Sequence, residues 1–209
     1  YLTHNFKNKT IMKKVLLTAV AVFSLTFVNA QEEKETTGVG FSKGDLFMSG
    51  ALSIGSESTG DAKFNGFEIE PKIGYFLTEN IAIGGKLGYA SIKEENAFGI
   101  ETTDASALSV GAFGRYYFTP AAQFSLFGEL GFDYSTVDNK LADVQENEIG
   151  LGLGLGLNYF VSDNWSIEAT WAGLGYTTND NGGDGAEKTN TFGLGADLRA
   201  ISFGVNYKF

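Results

Sequence analysis

Apolar residues fall on every second position in eight stretches of the chain, most plainly in "GLGLGLGLN" at Gly150–Asn158. A helix has no use for that run, because Gly costs about 1 kcal/mol per site against Ala in a helix interior. A period of two is a strand, with Leu on one face and bare backbone on the other. The same alternation predicts strands over Asp45–Ser56, Lys63–Leu77, Asn80–Lys93, Ala105–Phe118, Gln123–Thr136, Asn147–Val161, Asn164–Thr177 and Thr189–Phe209. No segment among them shows a convincing 3.6-residue period, so this part of the chain reads as all-β.

The connections alternate in length. Thr78-Glu79, Thr119–Ala122 and Ser162-Asp163 are tight, whereas Glu57–Ala62, Glu94–Asp104, Val137–Glu146 and Thr178–Lys188 read as longer polar loops. Short turns at one end and long loops at the other describe an up-and-down meander. A repeat supports it: "GYFLTENIAI", "RYYFTPAAQFSL" and "NYFVSDNWSI" share one cadence, and "NYKF" repeats its start. The tyrosines of that cadence, Tyr75, Tyr116, Tyr159 and Tyr207, recur once per hairpin. They are expected to form an aromatic rim at the short-turn end.

Sorting the strands by parity separates two faces. One carries Phe67, Ile69, Ile73, Ile81, Ile83, Leu87, Leu108, Val110, Phe124, Leu126, Leu130 and Phe132, then Leu151, Leu153, Leu155 and Leu157, then Trp165, Ile167 and Trp171. The other carries glycines and the charged residues Glu68, Glu70, Lys72, Lys86, Arg115, Glu129 and Glu168. An eight-stranded barrel has room inside for only a modest filling of side chains. Small and charged residues inward, with Leu and aromatics outward, is the arrangement required when the surrounding solvent is lipid. Leu151, Leu153, Leu155 and Leu157 are therefore expected to face lipid. The last strand breaks its own parity, since Phe192, Leu194 and Leu198 are even while Ile201, Phe203 and Val205 are odd. A one-residue bulge near Arg199-Ala200 would reconcile them and turn Asp197 and Arg199 inward.

The N-terminal end reads differently. Lys13-Lys14 follow Met12, then "VLLTAVAVFSLTFV" and "NA" precede Gln31. This is the pattern of a secretory signal over 12–30 cleaved after Ala30, the status of residues 1–11 being left open. Residues 31–43 read as a polar periplasmic lead-in and 44–209 as the barrel. Cleavage would remove Lys7, Lys9, Lys13 and Lys14, leaving 11 basic and 25 acidic residues, a net charge of about −14. That balance argues against nucleic acid as a partner. The chain has no Cys and a single His, His4. A disulfide framework, a thiolate metal site and a Cys nucleophile are excluded.

In these strands and in the ending "ISFGVNYKF" the chain resembles the small eight-stranded outer-membrane β-barrel family, which includes the outer-membrane protein X and protein A barrel types. The resemblance covers about Asp45 to Phe209. It implies an eight-stranded antiparallel transmembrane β-barrel in the outer membrane of a Gram-negative bacterium. It also implies that Phe203, Val205, Tyr207 and Phe209 carry the signal read by the barrel-assembly machinery during biogenesis. Partners are expected to be outer-membrane lipid and lipopolysaccharide, with the protein a monomer.

Small outer-membrane barrels include lipid A-modifying enzymes that use a His beside Ser and an acidic residue. The exported chain has no His, so no enzymatic activity is expected. "NDNGGDGAE" (Asn179–Glu187) has the look of a cation loop but misses the EF-hand spacing, so neither a metal nor a cofactor is expected. Glu68, Glu70, Lys72, Lys86, Arg115, Glu129, Glu168, Asp197 and Arg199 are expected to pair as a charge network that fills the lumen. The alternative is a hydrated polar lining without fixed partners. The leading function is thus an envelope-structural or surface-interaction role through long extracellular loops, and the alternative a narrow porin-like channel for ions or small solutes.

Overall fold

The computed structural model describes residues 39–182, 185–194 and 202–209, the side chains of residues 171 and 172 excepted. The strands are β1 (Leu46–Thr59), β2 (Ala62–Phe76), β3 (Ile81–Glu95), β4 (Glu101–Tyr117), β5 (Phe124–Asn139), β6 (Val144–Phe160), β7 (Trp165–Asn179), β8 (Thr189–Leu194) and β9 (Ser202–Lys208). Neighbours in sequence pair antiparallel from β1 through β7. β8 and β9 pair with the outer and inner halves of β7, and together act as the eighth stave. Phe47–Ala51 of β1 then pair with Gly204–Lys208 of β9, which closes the ring. In hydrocarbon this closure is obligatory, because lipid offers no partner to an unpaired backbone N–H or C=O.

The outward rows are apolar and exposed. Leu151, Leu153 and Leu155 are about half exposed, and Leu157 is half-buried. On β5 the row runs from Phe124 to Tyr134, ten residue steps or about 33 Å of strand, which at barrel tilt gives an apolar band about 25 Å tall. Tyr75, Tyr116, Tyr159 and Tyr207 each stand next to last in their strand, at the short-turn end. The opposite edge of the band is marked by Tyr89, Tyr134 and Tyr176. There a clasp occurs twice: Tyr134 and Thr136 donate to Asn147 Oδ1 (2.9 and 3.2 Å), and Tyr176 and Thr178 donate to Asn190 Oδ1 (3.1 and 2.9 Å).

Two departures from the sequence reading concern connections and parity. The strands run on into stretches that read as loops, so the outer connections shrink to Gly60-Asp61, Asn96–Ile100 and Lys140–Asp143. Only 180–188 is long. Above the bilayer both faces of a strand are wet, so polar residues at consecutive positions no longer mark a loop. Second, Leu153 pairs with Leu174 but Gly154 with Ala172, so Gly173 is an extra residue in β7 and its outward parity changes there. Trp171 lies outside the described side chains. The bulge expected at Arg199-Ala200, with Asp197 and Arg199, lies outside the described residues.

The inside is not only glycine and charge. At the short-turn end Phe41, Phe47, Phe76, Phe113, Tyr117, Phe127 and Phe160 form one buried aromatic cluster. Three of these rings lie over a glycine directly opposite in the ladder: Phe47 over Gly74, Phe113 over Gly84, Phe127 over Gly156. A Cβ on those glycines would stand 2.2–2.4 Å from the ring's Cζ. The glycines therefore make room chiefly for a neighbour's ring rather than for long side chains from the far wall. Phe41 comes from the stretch that reads as a polar lead-in. Residues 39–43 of that stretch are folded against the barrel; residues 31–38 lie outside the described residues.

Leu153→Arg is expected to destabilise the refolded barrel by about 2–4 kcal/mol, as a cation at mid-bilayer does. Gly156→Leu should cost about 1–3 kcal/mol by overpacking against Phe127. Urea unfolding in liposomes measures both. A silent Leu153→Arg beside a damaging Gly156→Leu would mean that Leu153 does not face lipid.

Candidate functional site

The lumen holds the one large concentration of charge inside the described barrel, and it is built on Arg115. Inward parity on β4 places Arg115 between Phe113 and Tyr117, directly opposite Glu129 of β5 in the ladder. Its Nε donates to Glu129 Oε2. Its two Nη atoms reach across the lumen to β7 and clamp Glu168, at 2.6 and 2.9 Å. Nη1 also donates to the Tyr117 hydroxyl at 3.1 Å. The planar fork of a guanidinium suits a bidentate carboxylate, and a lysine could not make this set. The Arg115 side chain has no exposed surface. Its Cζ lies 4.2 Å from the Phe127 ring centroid and 5.0 Å from that of Phe113, so the cation rests on the aromatic cluster.

From Glu129 the pairing continues toward the outer end. Lys72 lies 3.8 Å from Glu129 and 3.1 Å from Glu70; Lys86 lies 3.8 Å from Glu70 and 2.9 Å from Asp133. Glu168, Arg115, Glu129, Lys72, Glu70, Lys86 and Asp133 thus form one chain of alternating sign from β7 to β5. Beside it Asn206 Nδ2 donates to Glu168 Oε2 at 3.1 Å and to Ser166 Oγ at 3.3 Å. Asn158 Nδ2 also reaches Ser166 Oγ. Farther out, Lys86, Glu129, Gly131, Asp133, Gly152 and Thr170 help to line a cavity of about 310 Å³.

Of the residues singled out in the sequence, Glu70, Lys72, Lys86, Arg115, Glu129 and Glu168 are brought together. Glu68 is exposed and makes no ion pair among the described residues. Asp197 and Arg199 lie outside the described residues. Asp133 joins the network without being among the expected residues, although the outward parity of its neighbours Phe132 and Tyr134 turns it inward. Tyr117, Asn158, Ser166 and Asn206 carry no charge and so gave no signal. On β9, Phe203 and Val205 point outward, and Tyr207 packs between Trp165 and Phe209 with centroids 4.9 Å from each. The Phe209 N–H donates to Leu46 O at 2.9 Å, tying the last residue to β1.

A second cluster lies beyond the outer tyrosines. Lys93 meets Glu101 at 2.7 Å and Asp104 at 3.3 Å, and Lys140 meets Asp104 at 2.9 Å. The hydrogen bond from Lys140, with Lys93 adding to it, holds the Asp104 carboxyl below its ordinary range against the opposing effect of desolvation. Its contribution to stability is complete above the usual carboxylate range and is lost as pH falls through the lowered value.

Arg115→Ala should cost about 3–5 kcal/mol, because it strands Glu168 and Glu129 without a cation. Arg115→Met combined with Glu129→Gln and Glu168→Gln should recover most of that loss. Chemical unfolding of the refolded barrels reads both. An Arg115→Ala barrel as stable as the parent would contradict the pairing.

Residues 16–209 match the family model described as the outer membrane protein beta-barrel domain. Among solved structures, the outer membrane protein OprG from Pseudomonas aeruginosa is similar with a TM-score of 0.50 at 14% identity, over 83% of this chain and 99% of that one. The N-terminal β-barrel domain of OprF from the same organism gives 0.46 at 17% identity, over 81% and 100%. Neisserial surface protein A gives 0.44 at 22%, over 81% and 99%. No curated protein matches the chain.

Proposed function

The chain belongs to the outer membrane protein beta-barrel domain family and lies in the outer membrane of a Gram-negative bacterium, and on that premise we propose that it is a closed, non-conducting barrel with an envelope-structural or surface-interaction role. The observation that carries this reading is the filling of the lumen at two levels. The aromatic cluster closes the short-turn end, which in this architecture faces the periplasm. The ion network lies immediately beyond it, with Arg115 wholly enclosed. A porin-like path would have to pass both.

The reading is also non-enzymatic, since the one His of the chain precedes the expected cleavage point after Ala30. Export by that signal, insertion of β9 through Phe203, Val205, Tyr207 and Phe209, contact with lipopolysaccharide and a monomeric state are parts of the same proposal. Surface interaction would fall on the β3–β4 tip rather than on long loops. There Asn96 Oδ1 accepts the N–H groups of Phe98 and Ile100 (2.9 and 3.1 Å), which presents an 86% exposed Phe98 on an ordered turn.

Planar-bilayer recording of the refolded barrel tests the proposal. The expected result is no steady conductance for the parent and brief leak events for Arg115→Ala. A large, steady conductance in both would favour the channel.

A further inference from the structure

We infer that Gly40–Gly44 is a lid seated in the periplasmic mouth of the barrel, and that its seating keeps water from the aromatic cluster beneath it. The inference rests on the closed-lumen reading and adds the element that makes the closure reversible.

The lid is held from several sides of the mouth. Phe41 is fully buried, with its ring 4.7 Å from that of Phe76, 4.8 Å from Phe160, and 5.4 Å from both Phe47 and Tyr117. Its N–H donates to Pro120 O in the β4–β5 turn at 2.8 Å, and the Gly44 N–H donates to Phe76 O at 2.8 Å. Lys208 Nζ, at the end of β9, donates to Gly40 O. The segment therefore touches β1, β2, β4, the β4–β5 turn, β6 and β9.

Gly40 lets the lid lie flat. Its φ is +112°, and a Cβ there would stand 2.5 Å from the Ala121 carbonyl carbon. No L side chain fits both the conformation and the contact. The attachment differs in kind from the wall. A strand such as β1 is held by a continuous ladder from Leu46 to Thr59, whereas the lid has one ring and a few hydrogen bonds. Elements fastened so lightly open locally at much lower free energy than the strands they cover. Release would expose Phe76, Tyr117 and Phe160 and give periplasmic water a route to Arg115.

The chain has no Cys, so a single introduced thiol reports accessibility cleanly. Ser125, near the start of β5, has no exposed surface, which suits Ser125→Cys as the reporter. The full chain refolded in lipid nanodiscs is treated with a small charged maleimide, alone and with Phe41→Ala or Gly40→Val added. Labelling should be slow with the lid intact and at least about tenfold faster in either lid variant. Gly152→Cys, in the outer half of the lumen, should label at one rate in all three backgrounds, which shows that the barrel is otherwise unchanged. Lys208→Met, removing one anchor, should give an intermediate rate. Equal labelling of Ser125→Cys with and without the lid substitutions, in barrels that still migrate as heat-modifiable species, would overturn the lid. A parent barrel that conducts steadily would instead overturn the closed lumen.

Discussion

A guanidinium with no exposed surface must find all its compensation inside the barrel, and the arrangement of the lumen follows from that need. Arg115 is satisfied by Glu129 on the neighbouring strand, by Glu168 across the lumen and by Tyr117 on its own strand. Each acceptor is fixed by register, so the network is as well defined as the ladder that carries it. A buried ion pair of this kind is not a strong source of stability, because desolvation offsets most of the attraction. Its consequence is specificity: any slip of β4 against β5, or of β7 against β9, strands a charge.

The layer below obeys a second constraint. Eight strands enclose a space too narrow for a ring at every inward position. Pairing Phe47, Phe113 and Phe127 with glycines directly opposite lets the rings lie flat on the wall. They leave a central space that Phe41 fills, and a platform on which Arg115 rests. Glycine inside, leucine outside is thus one device seen from two sides. The bare backbone accommodates the packed lumen, and the outward leucines meet the bilayer.

Much of this was legible because strand parity is local. Eight alternating stretches located the wall and its outward face, and inward parity singled out Glu70, Lys72, Lys86, Arg115, Glu129 and Glu168. Asp133 apart, what escaped was non-local or uncharged. Phe41 stands in a polar stretch, and nothing near it says that five strand ends leave a ring-sized space. Phe76, Phe113, Tyr117, Phe127 and Phe160 have inward parity, but an aromatic ring on a strand does not by itself tell a lumen cluster from a lipid-facing row. The parity change at Gly173 depends on β6, whose register β7 alone does not reveal. The outer loops read as too long because alternation fades where both faces of a strand meet water.

The most direct measurement uses the scarcity of arginine: the chain has two, Arg115 and Arg199. Solvent exchange of the Arg115 Nε proton can be followed by NMR of the labelled barrel in nanodiscs, with Arg115→Lys to assign its signal. An enclosed guanidinium bonded to Glu129 and Glu168 should give a signal that exchanges far more slowly than a free arginine and is indifferent to salt. Exchange as fast as in free arginine would mean that water reaches Arg115 and that the lumen is not filled as described.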